Sequence, residues 1–209
     1  MPGILTKRLE HCADLQALLD CVLSRSLELT DTGLGNIQLM DWKAGHLAIQ
    51  AQRGFDAEFL RFFCRVKAQD GSACGRALRR RESVIIQDVM TDADFVTCRA
   101  IAAHAGFRAV QSTPLISSSG AFLGVLSTHF ATLHSPSRSE MDAVKGVALL
   151  AANAIIAQRA QARLWERTNE LARRLEHSRR LIEASETRIT RSRESLRSTR
   201  ELLGRGFSD

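Results

Sequence analysis

The sequence predicts an α+β fold in which an antiparallel sheet is flanked by helices and followed by a long coiled-coil helix. Three observations predict this fold. Short alternating or apolar segments indicate five strands, which are separated by helical patterns. Two pairs of strands are joined by short turn-forming segments, as is typical of antiparallel hairpins. The last part of the chain carries a sustained heptad repeat.

The N-terminal segment predicts a helix and then a hairpin. An apolar stripe indicates a helix from about Thr6 to Leu27, and turn-forming residues at 30–33 end it. Strands are predicted at 36–40 and 47–51 because the segment between them is short and ends in glycine. We therefore expect these two strands to pair antiparallel.

The middle of the chain predicts further helices and a second hairpin. Four phenylalanines between positions 55 and 63 recur at helical spacing, and residues 84–86 form a short buried strand pattern. Apolar runs at 108–116 and 122–130 flank a Ser-Ser-Ser-Gly turn. This order of elements predicts an antiparallel sheet with helices segregated to its sides.

The C-terminal segment has the clearest periodicity. From Leu164 to Leu203, seam residues alternate at spacings of four and three over more than five repeats, which indicates a coiled coil. Serine and threonine occupy one of the two seam positions from Ser178 onward, so these layers bury little apolar surface. Ser137 and Glu140 have the form of a capping box at the start of this helix. We expect residues 1–158 to form one domain, including the N-terminal helix, and residues 159–209 to form a coiled-coil signalling helix.

Composition and charge exclude several classes of protein. With 209 residues, 44% apolar and 25% charged, the chain has enough apolar surface for one globular domain with an appendage. Of the net charge of +6, five units fall in 159–209, where 13 arginines are interleaved with 8 acidic residues. This mixture is typical of a coiled-coil surface, so we do not expect nucleic-acid binding. We expect a cytoplasmic protein that does not contact membranes, because no long apolar run or export signal is present.

Five segments resemble, in order, the strand and loop signatures of the GAF domain, the small-molecule-sensing module of bacterial signalling proteins. They are Gly35–Leu39, Ser72–Ala77, Asp88–Val89, Ala109–Leu115 and Gly124–Phe130. The resemblance covers about residues 15–160. It implies a ligand pocket beneath the helices and loops between the second and fifth strands. It also implies that the first and last helices pack together at a dimer interface.

Strand alternation predicts where polar groups enter this pocket. In the last strand, Ser127 and His129 share a face with Leu123 and Val125. Gln111 and Thr113 share one face of the preceding strand, and if the two faces coincide, four polar side chains converge among apolar neighbours. The candidate ligand-binding residues are therefore Phe59, Cys74, Phe107, Gln111, Thr113, Ser127 and His129. The alternative is that the polar residues are hydrogen-bonded core groups or face solvent.

Cys64, Cys74 and Cys98 suggest an alternative function. Their intervals of ten and twenty-four residues resemble those of the GAF-fold free methionine-(R)-sulfoxide reductases. That resemblance implies that Cys98 attacks the sulfoxide as a thiolate and that Cys64 or Cys74 resolves the intermediate. The carboxylates with which those enzymes hold their substrate are absent, since Ser127 and His129 occupy the last strand. The cysteines are otherwise redox-sensing thiols or small core residues.

Together these features predict a cytoplasmic GAF sensory module that binds a small molecule or senses redox state. It would transmit that state through a homodimeric coiled coil to a signalling partner such as a histidine kinase. No kinase, cyclase or phosphodiesterase motif is recognisable, so an enzyme is not expected outside the reductase alternative. No Cys or His pair has zinc-site spacing, which predicts no metal. The cofactor is unknown, since some GAF relatives carry haem or bilin but no signature around His129 selects either.

Overall fold

The computed structural model describes Leu9 and residues 12–205, with side chains up to residue 200. Its elements, in chain order, are α1 (Leu15–Leu29), β1 (Leu34–Asp41), β2 (His46–Arg53), α2 (Ala57–Phe62), α3 (Ala73–Arg80), β3 (Val84–Ile86), a 3₁₀ turn (Val96–Cys98), α4 (Arg99–His104), β4 (Ala109–Ile116), β5 (Phe122–Phe130) and α5 (Arg138–Arg205).

The five strands form one antiparallel sheet in the order β2-β1-β5-β4-β3. Both predicted hairpins are confirmed as β1–β2 and β4–β5. In the first turn, the Asp41 carboxylate accepts hydrogen bonds from the backbone amides of Lys43 and Ala44, and Gly45 adopts a φ of +72°. The predicted α+β class, with flanking helices and a long C-terminal helix, is therefore confirmed.

Helices cover both faces of the sheet. One face packs against α1 and the first part of α5 through side chains such as Leu19, Leu126 and Ala151. The opposite face packs against α2, α3 and the segment after β3, where Phe59 and Val125 share a second core. Because both faces of β5 are covered, all nine of its residues are buried.

The helix predicted from about Thr6 is interrupted before Leu15, although Leu9 is helical. Residues 12–14 are not helical, and the Asp14 carboxylate caps α1 by accepting a hydrogen bond from the amide of Ala17 at 2.8 Å. The helix continues to Leu29, two residues beyond the predicted end. Of the predicted helical residues 6–14, positions 6–8, 10 and 11 lie outside the described residues.

The last helix starts at its predicted cap. Ser137 Oγ accepts a hydrogen bond from the amide of Glu140 at 3.1 Å. The Glu140 carboxylate is instead bound to the ring of His134, at 2.8 Å, so only half of the predicted capping box is present.

The chain divides into two compact units, residues 1–159 and residues 160–209. The second unit is helical through Arg205, and its described seam residues are exposed in the single chain. Pairing of this helix in a coiled coil stays a prediction. Within the described residues, no helix has the length and apolar character required to cross a membrane.

Candidate functional site

The two polar pairs predicted to converge lie on opposite faces of the sheet. Gln111 is paired with Thr128 and Thr113 with Leu126, whereas Ser127 faces Ser112 and His129 faces Val110. Directly opposed residues of antiparallel strands project to the same face. The expectation that all four polar side chains share one face is therefore wrong.

A β-bulge explains this correction. At the turn, Ile116 pairs with Phe122. If this register continued along both strands, Gln111 would pair with Ser127 and share its face. The register shifts between Leu115 and Ile116, and a shift of one residue exchanges the two faces of a strand. Leu123 accordingly packs in the core formed with α1 and α5, not with Val125 as predicted.

A cavity lies on the face of the sheet that carries Ser127 and His129. β1, β4 and β5 form its floor, α2 and the start of α3 form its walls, and the segment around Phe95 covers it. The lining residues are Asn36, Phe59, Phe63, Ser72, Ala73, Cys74, Phe95, Phe107, Val110, Ser112, Ser127 and His129. The space open to the centre of a water molecule is about 10 Å³, which is roughly the room for one water.

Aromatic side chains surround His129 at this cavity. The rings of Phe55 and Phe59 are stacked, with centroids 3.6 Å apart. The His129 ring meets Phe55, Phe59 and Phe107 edge to face, at centroid distances of 4.9, 5.8 and 4.7 Å. A ligand larger than a water molecule therefore requires some of these rings to move.

Two polar atoms in this apolar setting lack a hydrogen-bond partner among the described residues: Asn36 Oδ1 and His129 Nδ1. Both side chains are buried, and they reach the cavity from neighbouring strands. A buried polar atom left unpaired costs about 1–3 kcal/mol. These atoms are the groups through which the cavity can recognise a polar ligand.

Burial sets the charge of His129. Loss of hydration disfavours the imidazolium form and lowers the pKa of His129 to about 3. The ring is therefore neutral near pH 7, with one nitrogen that donates and one that accepts a hydrogen bond. Beside it, Ser112 and Ser127 bind each other through their hydroxyls at 2.7 Å.

Five of the seven predicted ligand-binding residues line this cavity: Phe59, Cys74, Phe107, Ser127 and His129. Gln111 and Thr113 are buried on the opposite face, where Gln111 Nε2 lies 3.5 Å from Thr113 Oγ1. They face the core formed with α1 and α5 and do not reach the cavity. Whether the five lining residues bind a ligand stays a prediction.

Other residues that line the cavity were not predicted from the sequence, among them Asn36, Ser112 and Phe95. Ser112 is next to Gln111, and the strand register alone decides which of the two faces the cavity. Asn36 stands in a segment that resembles a GAF signature, and a polar residue inside an apolar strand was the available signal. Phe95 lies in a loop, where no periodicity marks it.

The three cysteines of the reductase pattern occupy different environments. Burial raises the pKa of the Cys74 thiol to about 11 and also raises the pKa of Cys98. Cys64 is exposed and lies in a separate depression beside α1 and β2. No disulfide joins these three residues. Because thiolates are the nucleophilic form, burial opposes the chemistry that the cysteine spacing suggests.

A buried arginine fastens the segment that covers the cavity. Arg76 on α3 is 6% exposed, and it binds the carboxylates of Asp92 and Asp94 at 3.1 and 3.3 Å. The Asp92 carboxylate in turn accepts a hydrogen bond from the backbone amide of Phe95, a residue that lines the cavity. Gly71 allows the close approach, since a Cβ there would lie 1.9 Å from the Asp94 carbonyl oxygen.

Across the described part of the chain, no group of three or more His, Cys, Asp and Glu side chains is placed to hold a metal ion. The cavity itself is lined by neutral hydrogen-bonding groups, aromatic rings and the protonated thiol of Cys74.

Comparisons with known proteins agree with this architecture. The chain is similar to the GAF domain of a phosphoenolpyruvate-protein phosphotransferase from Coxiella burnetii, with a TM-score of 0.67 and 18% identity over 77% of this chain and 94% of that chain. It is also similar to a domain of a putative two-component sensor histidine kinase from Sinorhizobium meliloti 1021, with a TM-score of 0.59 and 18% identity over 69% and 92% of the two chains.

A third similar structure is a free methionine-R-sulfoxide reductase from Neisseria meningitidis, with a TM-score of 0.63 and 19% identity over 77% of this chain and 89% of that chain. At these identities the likeness shows the fold alone. A search of curated proteins found no match. The family model of the GAF domain matches residues 12–156, which is most of the chain. The chain therefore belongs to the GAF domain family.

Proposed function

We propose that this chain is a sensory or regulatory module that binds a small, uncharged molecule in the cavity and passes the change to a signalling partner through α5. The observation that carries the proposal is the pair of buried, unpaired atoms, Asn36 Oδ1 and His129 Nδ1, in an aromatic cavity.

The lining specifies the class of ligand. The neutral His129 ring and the absence of a charged group among the lining residues disfavour a charged ligand, which would lose its hydration without compensation. Phe59, Phe95 and Phe107 offer ring faces and edges to a flat apolar group. The ligand that fits best is a small planar molecule with an N–H or O–H group directed at Asn36.

The small free space supports a coupling between binding and motion. A planar ligand has to displace Phe59 or Phe95, and Phe95 lies in the segment held by Arg76. A ligand shifts such an equilibrium only if it binds one arrangement more tightly than the other. Here the arrangement with the rings displaced is the one that admits the ligand.

Chain connectivity and two side-chain contacts link the cavity to the start of α5. Phe130 follows His129 in β5, and its ring stacks on His134 with centroids 3.6 Å apart. His134 binds Glu140 in the first turn of α5. We infer that displacement of His129 reaches α5 by this route and that the helix conveys it to a partner, such as a histidine kinase or another signalling protein. The similarity to a domain of a putative sensor histidine kinase supports this role.

Thermal denaturation in the presence of neutral planar metabolites, such as nucleobases, tests the proposal. A ligand that binds only the folded form raises the melting temperature. We expect at least one compound to stabilise the protein and expect Asn36→Leu and His129→Phe to abolish that gain.

Gln111→Leu is the matched control, because Gln111 is equally buried in the same sheet but on the opposite face. It should leave the ligand effect unchanged. If no compound stabilises the protein, or if all three variants respond to the compound as the unaltered chain does, the cavity is only a packing feature.

Sulfoxide reduction remains the alternative function, and the protonated state of Cys74 and Cys98 disfavours it. Incubation with free methionine-(R)-sulfoxide and dithiothreitol distinguishes the two functions. We expect no turnover. Consumption of the sulfoxide that is lost in Cys98→Ser would replace the sensory proposal with the enzymatic one.

A further inference from the structure

We propose that the helical segment 164–200 pairs with a helix of another protein that carries acidic residues beside its apolar seam, in preference to a parallel copy of this chain. The inference names the class of partner for the signalling role proposed above and rests on that role only for its biological meaning. The pairing itself is argued from the residues of the helix.

The segment presents an apolar stripe that is exposed in the described part of the single chain. Leu175, Ile182, Ile189 and Leu196 occupy one seam position and are 72, 59, 49 and 68% exposed. Trp165 and Leu181 lie beside the seam and widen the stripe. An exposed stripe of this length marks a surface that binds another helix.

The positions that flank the seam carry mostly arginine. In heptad terms Leu175, Ile182, Ile189 and Leu196 are a positions and Ser178, Ser185 and Ser192 are d positions, since the spacing from d to a is four. The flanking e and g positions then include Arg167, Arg174, Arg179, Arg188, Arg193 and Arg200. Glu186 is the one acidic residue among the e and g positions from 165 to 200.

A parallel copy of the same chain meets this arrangement with repulsion. In a parallel in-register coiled coil, each g residue faces the e residue five positions later on the other helix. Arg174 of one copy would face Arg179 of the other, and Arg188 would face Arg193. Each contact occurs twice by symmetry, and like charges at these positions select against pairing.

The glutamates of the helix do not remove this charge. Glu170 and Glu183 lie outside the seam and bind Arg174 and Arg179 along the same helix, at 2.6 and 3.3 Å. These pairs are exposed and therefore weak, so both arginines remain available to a stronger partner. Glutamates at the e and g positions of another helix would be such partners for these arginines.

The small side chains in the seam also favour a different helix as the partner. Self-pairing sets Ser178, Ser185 and Ser192 against their own copies, which leaves three d layers with little apolar contact between the apolar a layers. A partner with leucine at the opposing positions would fill these layers. Charge and size therefore specify one occupant: an amphipathic helix with leucine in its seam and glutamate at its edges.

The full chain and two synthetic peptides test the proposal. Both peptides are helical 35-residue probes with leucine at a and d, and they differ only in carrying glutamate or lysine at e and g. We expect fluorescence anisotropy to show that the glutamate probe binds at least about tenfold more tightly than the lysine probe.

The double variant Arg174→Glu/Arg188→Glu should bring this ratio of affinities close to one. The same double substitution should increase self-association, because each introduced carboxylate would face Arg179 or Arg193 of the other copy.

Arg173→Glu/Arg191→Glu is the matched control, since it makes the same change in charge at outward-facing f and c positions. It should keep the preference for the glutamate probe and the original sedimentation behaviour, with unchanged helicity. The proposal is overturned if the unaltered chain forms a stable dimer at micromolar concentration and binds neither probe. It is also overturned if the control variant loses the preference as fully as the e and g variant, or if a duplex DNA oligomer displaces the glutamate probe.

The cavity proposal and the helix-pairing proposal can fail independently, because different measurements test them. Asn36→Leu changes the response to planar metabolites but lies in the first unit, so it should leave binding of the glutamate probe unchanged.

Discussion

His129 combines a buried, aromatic environment with an unpaired polar atom. It is 5% exposed, it contacts three phenylalanine rings, and one of its ring nitrogens lacks a partner among the described residues. Its pKa, lowered to about 3 by burial, keeps it neutral while the protein is folded. In the unfolded chain the same ring takes up a proton near its ordinary pKa of 6.5.

This difference predicts an acid-sensitive fold. Because the folded pKa lies below the unfolded one, the contribution of His129 to stability is present above pH 6.5 and is lost as the pH falls toward 3. Urea titrations should show about 2 kcal/mol of this contribution lost between pH 6.5 and pH 5. His129→Phe keeps an aromatic ring and should remove that part of the pH dependence.

His104 provides a control of opposite sign. Its hydrogen bond with Asp56, at 2.7 Å, raises the pKa of His104, so the bond stabilises the fold at low pH and is lost as the pH rises. His104→Gln should therefore make the protein more sensitive to acid, whereas His129→Phe should make it less sensitive. An unchanged slope in His129→Phe would show that His129 is hydrated or charged in the folded protein.

Among the elements, the segment between β3 and α4 is bound to α3 beside the cavity. It carries Phe95 and is held through Asp92 and Asp94 to the buried Arg76 of α3. Removing the arginine takes away charge-assisted hydrogen bonds and leaves Asp92 partly buried without its cation. The segment should then open more often.

We expect Arg76→Ala to lower the free energy of unfolding by about 2 kcal/mol and to speed amide exchange in residues 92–98. Arg80→Ala is the control, because Arg80 belongs to the same helix and is exposed. Equal exchange rates in both variants would mean that the Arg76 ion pairs do not hold the segment.

Substitution by alanine should change stability in opposite directions at two glycines. A Cβ on Gly124 in β5 would lie 2.0 Å from the Gln38 carbonyl oxygen of β1, so Gly124→Ala should cost about 3 kcal/mol or more. Gly146 in α5 has open space around it, so Gly146→Ala should stabilise the helix by about 1 kcal/mol. Chemical denaturation of both variants measures this contrast. If Gly124→Ala is tolerated, the β1–β5 spacing is wider than described.

For the whole molecule, we propose that the first unit folds independently of the second. The two sheet-associated cores draw their residues from positions up to 156. A chain ending after Arg159 should therefore unfold with a free energy within about 0.5 kcal/mol of the full chain. Circular dichroism in urea measures this, with near-ultraviolet signals reporting the core. A large loss of stability would show that the second unit supports the first.

Several features could be predicted from the sequence because each depends on local spacing. Heptad spacing marked the long C-terminal helix, and the turns after Asp41 and before Ala121 marked both hairpins. The Ser137 cap also depends on neighbours within one helical turn. The start of α1 was missed because the Asp14 cap competes with an apolar pattern that extends further toward the N-terminus.

The candidate site depended on tertiary structure. Strand alternation and the family resemblance placed His129 among the candidate lining residues with Phe59 and Phe107, and its ring meets both edge to face. They did not show that Ser112, and not Gln111, would face it, because a single bulge near the turn exchanges the two faces of β4 relative to β5. Strand alternation is a property of one segment, whereas the register between segments is set by packing across the sheet. For this reason the amino-acid sequence by itself determined the order and type of the elements, whereas only the assembled sheet decided which side chains meet in the cavity.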